Sequence, residues 1–247
     1  MHKRRWVGCG GLLLAAAGTL PAQAPSGAAA PGWTFTGTVD FGFVSATGNT
    51  DVTTVSLGDK LVASRGRWTL TQVFAQVYGK TDGVESANQL RANLRAERTL
   101  VDGIGGFAAV QFERNAFAGF DRRMDQFLGL RWRAIEDSTD ALTFDAGGVL
   151  TQQENTDGAS KSARSARGAM AYKHIFKPGT FFSQGVEYVP DLEGAGAYRL
   201  NSETAAVAPL SSRVSMKIGY VFQYNSRPPT GFGTSDRVFT SGLQVSF

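Results

Sequence analysis

Cysteine and histidine are nearly absent from this chain. One cysteine, Cys9, and two histidines occur in 247 residues. Cys9 lies inside residues 1–24, which read as a cleavable secretory signal. Lys3, Arg4 and Arg5 supply the positive start, Leu12 to Gly18 a short apolar stretch, and Ala22-Gln23-Ala24 a small-x-small cleavage site. After cleavage no cysteine remains and His174 is the one histidine, which excludes disulfides, cysteine nucleophiles and Cys/His zinc sites. Long apolar runs are missing as well. None approaches the roughly 20 residues of a spanning helix, so a helical membrane protein is excluded. A strong charge bias is missing too. The signal takes three of the 25 Lys+Arg and none of the 21 Asp+Glu, so the net charge falls from +4 to +1 and nucleic acid is not an expected partner. No phosphate-binding loop is present, since Gly103-Ile104-Gly105-Gly106 reads as a turn leading into a strand. No linker follows the small, flexible leader at residues 25–32, so residues 33–247 are expected to form one domain.

What is present is alternation. The chain finishes on Phe239, Leu243, Val245 and Phe247, spaced by two with Ser241 as the one break, and polar or small residues between them. A clean period-2 strand ending on an aromatic fits the closing strand of an outer-membrane barrel, one face in lipid and one in the lumen. About twelve alternating segments follow Trp33. In one, Leu90, Ala92, Leu94 and Ala96 alternate with Arg91, Asn93, Arg95 and Glu97; in another, Leu128, Leu130 and Trp132 alternate with Arg131 and Arg133. Val214, Met216, Ile218 and Tyr220 alternate with Arg213, Ser215 and Lys217. One segment resists. Trp68 to Lys80 carries Gln72 and Gln76 in phase with Leu70, Phe74 and Tyr78, so its faces stay unassigned.

The connections sort by length. Those around Arg65-Gly66-Arg67, Val101-Asp102-Gly103, Asp137 to Asp140, Lys177-Pro178-Gly179 and Pro209 to Ser212 are short, as periplasmic turns are. Thr81 to Asn88, Asn115 to Asp121, Gln152 to Ser162, Asp191 to Ala197 and Asn225 to Ser235 are longer, as external loops are; Ala46 to Asp51 is a short exception. Trp33, Trp68 and Trp132 fall at the periplasmic strand ends, and Tyr78, Tyr188, Tyr198 and Tyr224 at the opposite ends, the pattern of two membrane-interface girdles. The fold expected is therefore an all-β, transmembrane, antiparallel up-and-down barrel of about 12 strands behind a cleavable signal peptide.

Four stretches carry a family likeness: Val39-Asp40-Phe41-Gly42-Phe43-Val44-Ser45-Ala46-Thr47-Gly48-Asn49-Thr50-Asp51, Tyr78-Gly79-Lys80-Thr81-Asp82-Gly83, Phe112-Glu113-Arg114-Asn115 with Phe117 and Gly119, and Tyr224-Asn225-Ser226-Arg227-Pro228-Pro229. In these the chain resembles domain-of-unknown-function family 481, the YdiY-like salt-induced outer membrane protein group, in the same motif order. Asn115 stands where the family usually has Asp. The resemblance implies an outer-membrane location and a single barrel, and it brings no activity, cofactor or catalytic residue.

Chemistry is expected in the lumen. With the polar phase inward, Arg91, Arg95, Arg123, Asp125, Arg131, Arg133, Asp145, Arg167, Lys173, Glu187, Arg199, Glu203, Arg213 and Lys217 line it, with Asp40, Glu97 and Glu113 beside them. These side chains either pair across the interior and fill it, or line a narrow pore. The near-balance of signs favours pairing, and the surplus of arginine favours anions if a pore is open. A barrel hydrolase needs a Ser–His pair, but His174 is followed by Ile175 and Phe176 and reads as an interfacial residue near the periplasmic rim, so no enzyme activity, metal or cofactor is expected. Glu154, Asp157, Asp191 and Glu193 in the outer loops read as solvated charge. The expected partners are outer-membrane lipid, lipopolysaccharide and the barrel-assembly machinery, and the expected state is a monomer. The function expected is a narrow passive channel for small polar or anionic solutes, with a link to salt or envelope stress implied by the family; the alternative is a non-conducting structural or surface-interaction barrel with a plugged lumen.

Overall fold

Alternation of apolar and polar residues puts one face of every strand in an apolar phase, and a sheet with such a face and no free edge must close on itself. The computed structural model shows that closure. It describes residues 32–46, 52–193 and 196–247. The expected signal peptide at 1–24, the leader up to residue 31 and residues 47–51 of the first connection lie outside the described residues. The strands are β1 (Thr34–Ala46), β2 (Val52–Arg65), β3 (Trp68–Thr81), β4 (Val84–Val101), β5 (Ile104–Asn115) and β6 (Phe120–Glu136). They continue with β7 (Asp140–Asn155), β8 (Ser160–Lys177), β9 (Thr180–Pro190), β10 (Tyr198–Pro209), β11 (Val214–Asn225) and β12 (Ser235–Ser246). Each pairs antiparallel with its chain neighbours, and β12 returns to β1 to close a twelve-stranded up-and-down barrel. No helix among the described residues is long and apolar enough to cross a membrane.

The closing seam is short. It runs from Thr38 opposite Ser246 to Phe41 opposite Leu243, whereas β1 pairs with β2 along its whole length. Two further backbone bonds extend it, Gly37 N–H to Phe247 O at 2.9 Å and Phe247 N–H to Gly37 O at 3.0 Å. The expected closing strand, with Phe239, Leu243, Val245 and Phe247 on its outward face, is β12.

The two faces invert the order of a water-soluble protein. Leu128 is 72 % exposed, and Phe35, Phe41 and Phe239 are exposed with it, while Asp125 is 3 % and Glu113 1 % exposed. The charged face is the interior, because its side chains touch across strands that are not neighbours. Arg199 on β10 reaches Asp125 on β6, and Gln89 on β4 reaches Gln223 on β11. β3 is resolved by register. Val73 pairs with Lys60 and Ala75 with Gly58, which put Val73, Ala75 and Val77 inward and leave Leu70, Gln72, Phe74, Gln76 and Tyr78 outward. Its pattern was unreadable because its lumen side is apolar and its lipid side carries amides.

One rim, here the lower, holds the start of β1 and the end of β12. Its turns at 66–67, 102–103, 137–139 and 178–179 are tight, as expected. The upper connections depart from expectation. The segment Thr81 to Asn88 is not a loop: β3 and β4 run on to a two-residue turn, Asp82-Gly83, whose φ values of 50° and 78° are those of a hairpin turn with both central residues left-handed. Gln152 to Ser162 contracts to residues 156–159, and Asn115 to Asp121 to one 3₁₀ turn, Ala116–Ala118. These strand ends lose alternation because they rise beyond the apolar band into water, where both faces are polar. Asn115, the departure from the family pattern, accepts a hydrogen bond from Ala118 N–H at 3.1 Å, a capping role that Asp fills equally well.

Trp68 and Trp132 face outward near the lower rim, with Trp33 just before β1; Tyr188, Tyr198 and Tyr224 cluster near the upper rim, their ring centroids 5.4 and 5.5 Å apart. Trp132 stacks on Phe144 at 5.7 Å. His174 sits at the lower rim facing outward, its Nδ1 2.8 Å from Asp140 Oδ1, and Tyr172 donates to the same oxygen at 2.6 Å.

Candidate solute path through the barrel

Inward arginines and carboxylates alternate with outward leucines along β4 to β8, and the barrel curvature turns them toward a common axis. Near the lower rim, Asp145 is the hub. It accepts from Arg131 Nε at 2.8 Å and Arg95 Nη1 at 2.8 Å, and Arg167 Nη1 lies at 3.3 Å. Glu97 accepts from Arg95 at 3.0 Å and from Arg133, and Arg131 Nη1 lies 3.1 Å away. Arg167 also donates to Glu187 at 2.5 Å, which takes Asn201 Nδ2 at 2.9 Å. A second tier lies nearer the upper rim. Glu113 accepts from Arg123 at 2.7 Å, with Arg91 at 3.6 Å and the amides of Gln89 and Gln223 at 3.2 and 3.3 Å. Asp125 accepts from Arg199 at 2.9 and 3.2 Å and from Thr151 Oγ1 at 2.5 Å.

Between the tiers lies an apolar floor of Phe107, Ala109, Phe127, Val149 and Val189. The Arg95 guanidinium lies 3.6 Å above the Phe107 ring, and Arg167 lies 5.2 Å from that of Phe127. Stacking on rings holds the guanidinium planes in place while the carboxylates take their edges, a combination for which lysine is no substitute. The charge network thereby packs the wall from β4 to β8, and a cavity of about 240 Å³ remains between Arg131 and Asp145 on that side and Asn201 and Glu203 on β10.

The opposite wall is lined mostly by small side chains. Gly42, Ser56, Gly58, Val73, Ala75 and Val77 on β1 to β3, and Gly219, Val221, Val238, Thr240 and Gly242 on β11 and β12, enclose a cavity of about 180 Å³. The cavity of about 240 Å³ adjoins it, sharing Arg91, Glu203 and Val221 as walls. The glycines also serve the seam, since a Cβ on Gly242 would lie 2.8 Å from Gly42 Cα. Across this strip Lys217 Nζ pairs with Asp40 at 2.6 Å, and Gln244 donates to Asp40 at 2.7 Å.

Of the expected lumen residues, Arg91, Arg95, Arg123, Asp125, Arg131, Arg133, Asp145, Arg167, Glu187 and Arg199 meet in this network, and Lys217 stands apart with Asp40. Lys173 is inward on β8, its Nζ 4.1 Å from the Phe181 ring centroid. Glu203 is inward on β10. Arg213 is a correction: it lies in the exposed turn at 210–213, before β11 begins, and lines nothing. The alternation of β11 extends one residue too far back there, because a turn residue falls in phase by chance. Lys60 is the residue that sequence reasoning missed. It faces inward from β2, within electrostatic reach of Lys173, Glu203, Arg131 and Lys217. Its neighbour Asp59 in the apolar phase hides the pattern that would have revealed it. Neither Lys60 nor Lys173 meets an acid at contact distance among the described residues.

At the upper mouth, residues 226–234 lie across the opening from β11 to the far side. The Phe232 ring rests on Gly119, so closely that a Cβ there would lie 2.6 Å from Cδ2. Beneath it lie a space of about 30 Å³ among Glu113, Arg123, Arg199 and Asp236 and a wider one of about 210 Å³ between Pro228 and Pro229 and the β7, β8 and β10 wall at Gln153, Ser165 and Arg199. The outer acids are engaged with bases: Glu154 with Arg122 at 2.5 Å, Asp191 with Lys161 at 3.5 Å and Glu193 with Arg164 at 3.7 Å.

A family model described as "Protein of unknown function, DUF481" matches residues 39–247. The chain belongs to the DUF481 family. A curated relative, "Uncharacterized protein YdiY" of Escherichia coli strain K12, is 23 % identical over 196 residues, 79 % of this chain and 76 % of the relative. Among solved structures, this DUF481 barrel is similar to the NanC porin, with a TM-score of 0.53 and 9 % identity over 85 % of this chain and all of that one. It is similar also to the COG4313 outer membrane channel from Pseudomonas putida F1, with a TM-score of 0.53 and 11 % identity over 91 % of this chain and all of that one. These likenesses are of fold: the protein is an outer-membrane-type barrel.

Proposed function

We propose that this barrel is a narrow passive channel for small polar solutes that favours anions. The observation that carries the reading is the uneven filling of the lumen. Paired charge and aromatic rings pack the wall of β4 to β8, while a cavity of about 240 Å³ against β7 to β10 adjoins a strip along β1 to β3, β11 and β12 that glycine and small side chains leave open. Lys60 and Lys173 stand on β2 and β8, six strands apart and so on opposite walls; both face inward with no acid at contact distance among the described residues, and Glu203 is the carboxylate within electrostatic reach of Lys60. A lysine pair facing water attracts small anions and holds them weakly enough to release them. The barrels that share the fold are named a porin and a channel, but the proposal rests on the lumen.

The segment at 226–234 supports a second reading, a barrel closed at its upper mouth and non-conducting. Planar-bilayer reconstitution decides between them: reproducible conductance steps with anion preference support the channel, and silence at all voltages supports the closed barrel. We further propose that β12, ending on Phe247, is the segment the barrel-assembly machinery reads, with export by the Sec route. A role in salt or envelope stress is tested by growth of a deletion strain at high osmolarity.

A further inference from the structure

The outward face carries a polar cluster that no neighbour satisfies. Asp59, at the middle of β2, points outward with Leu57 and Leu61 and pairs in register with Phe74. Gln72 and Gln76 flank Phe74 on the same face of β3. Trp68 and Tyr78 bracket this stretch. The ten residue steps from Trp68 to Tyr78, on a strand tilted by about 45°, span roughly 23 Å, close to the roughly 25 Å of an apolar band. Asp59 and both glutamines therefore sit at the depth of hydrocarbon. Among the described residues none of the three makes a hydrogen bond or an ion pair. Gln184 shows the contrast: on the outward face of β9 its amide donates to Ser202 Oγ at 2.9 Å and accepts from Thr204 Oγ1 at 2.6 Å. Lipid tails offer no partner, so a carboxylate and two amides at that depth require another surface.

We propose that this face of β2 and β3 is where a second copy of the chain docks, in a two-fold contact within the membrane. The donor and acceptor groups are self-complementary. The carboxylate of Asp59 only accepts, and the amides of Gln72 and Gln76 donate. A two-fold axis along the membrane normal preserves depth. Strand tilt brings Asp59 nearly level with one glutamine of the adjacent strand, so each Asp59 meets a glutamine of the other copy rather than its own equivalent. Leu61, Leu70 and Leu94, all exposed, surround the cluster and supply the apolar rim. A soluble partner does not reach this depth. The inference is independent of whether the lumen conducts, and it replaces the expectation of a monomer.

The test uses the barrel purified from membranes in density-matched micelles. The parent chain is expected to sediment as a dimer. The variant carrying Asp59→Leu, Gln72→Leu and Gln76→Leu is expected to dissociate with a constant raised at least about tenfold, for two to four lost interchain hydrogen bonds. A second arm works in intact membranes. Asp59→Cys in one tagged copy and Gln72→Cys or Gln76→Cys in a differently tagged copy, expressed together, are expected to form a mixed covalent dimer on oxidation, and Leu150→Cys, outward on the distant β7, is expected to form none with either. A monomeric parent at all concentrations, an undiminished dimer in the triple variant, or capture of a different protein by Gln72→Cys would each overturn the proposal.

Discussion

The ring of Phe247 lies over the bare backbone of Gly37. A Cβ on Gly37 would stand 2.6 Å from Cε2 and Cζ of that ring and 2.7 Å from Leu61 Cδ2. The same two residues exchange both backbone hydrogen bonds, so the glycine is what lets the end of the chain lie down on β1 and extend a short seam. Gly37→Val is therefore expected to destabilise closure by about 1–3 kcal/mol through overpacking. Urea unfolding in micelles, followed by tryptophan fluorescence, measures it. Gly148→Ala, where nothing lies within 4 Å, is the control and is expected to leave the midpoint unchanged.

Asp145 holds Arg131, Arg95 and Arg167 together. Asp145→Asn leaves three guanidiniums crowded without their shared acid. A dry interior would make that cost about 3–5 kcal/mol. Arg131 still touches lumen water, and Glu97 and Glu187 remain, so a loss of about 2 kcal/mol is expected. The same urea experiment reads it. A stability equal to that of the parent would show that the network is held by the aromatic floor rather than by its acids.

Lys60 and Lys173 meet no carboxylate at contact distance, and Glu203 offsets Lys60 only against three like charges, Lys173, Arg131 and Lys217. Replacing both, Lys60→Gln with Lys173→Gln, is expected to move the reversal potential in a salt gradient toward cations. Arg123→Gln is expected to move it little, since Arg123 is occupied by Glu113. Equal shifts in the two variants would sink the assignment of the open strip as the path.

Strand number and the closing strand were legible because lipid enforces a strict period: residues such as Leu128, Leu130 and Trp132 had nowhere to go but outward. The lumen tiers were legible for the complementary reason, since Arg131 and Arg133 fall in the opposite phase. Three features were not. The upper strand ends lose their alternation in water, so Val84 to Asn88 passed for loop. Arg213 kept phase with β11 while belonging to a turn. β3 carries small apolar residues toward the lumen and amides toward lipid, and only its register with Lys60 and Gly58 separates the faces. The open strip could not be foreseen at all, because a void is a property of which small residues meet across the interior, as Gly58, Ala75, Gly219 and Gly242 do.

One acid outside the membrane gives a pH prediction. Asp137, in the lower turn between β6 and β7, accepts from the backbone N–H of Asp140 at 2.7 Å and of Thr139 at 2.8 Å, and these bonds hold its carboxyl below the ordinary range. A lowered folded value means that the turn is fully supported above the ordinary carboxylate range and loosens as pH falls through the lowered value. Amide exchange at Thr139 and Asp140 is expected to show this loss of protection on acidification in the parent. In Asp137→Asn the protection is expected to stay level across the same range.

The segment at 226–234 crosses the upper mouth and is held at its far end by Phe232 on Gly119 and near its start by Ser226 N–H to Tyr198 O at 3.0 Å. Ser226 Oγ also accepts from Tyr198 N–H at 2.8 Å; the apolar ring on a glycine backbone is a contact of modest strength, worth about 1.5–3 kcal/mol at full burial. Such a tether opens on thermal timescales if the barrel below conducts. Phe232→Ala is expected to raise open probability or unitary conductance in planar bilayers, while Tyr224→Phe on the adjoining outward face is expected to alter neither. A Phe232→Ala barrel as silent as its parent would place the obstruction lower, at the level where Arg91 and Glu203 narrow the join between the two cavities.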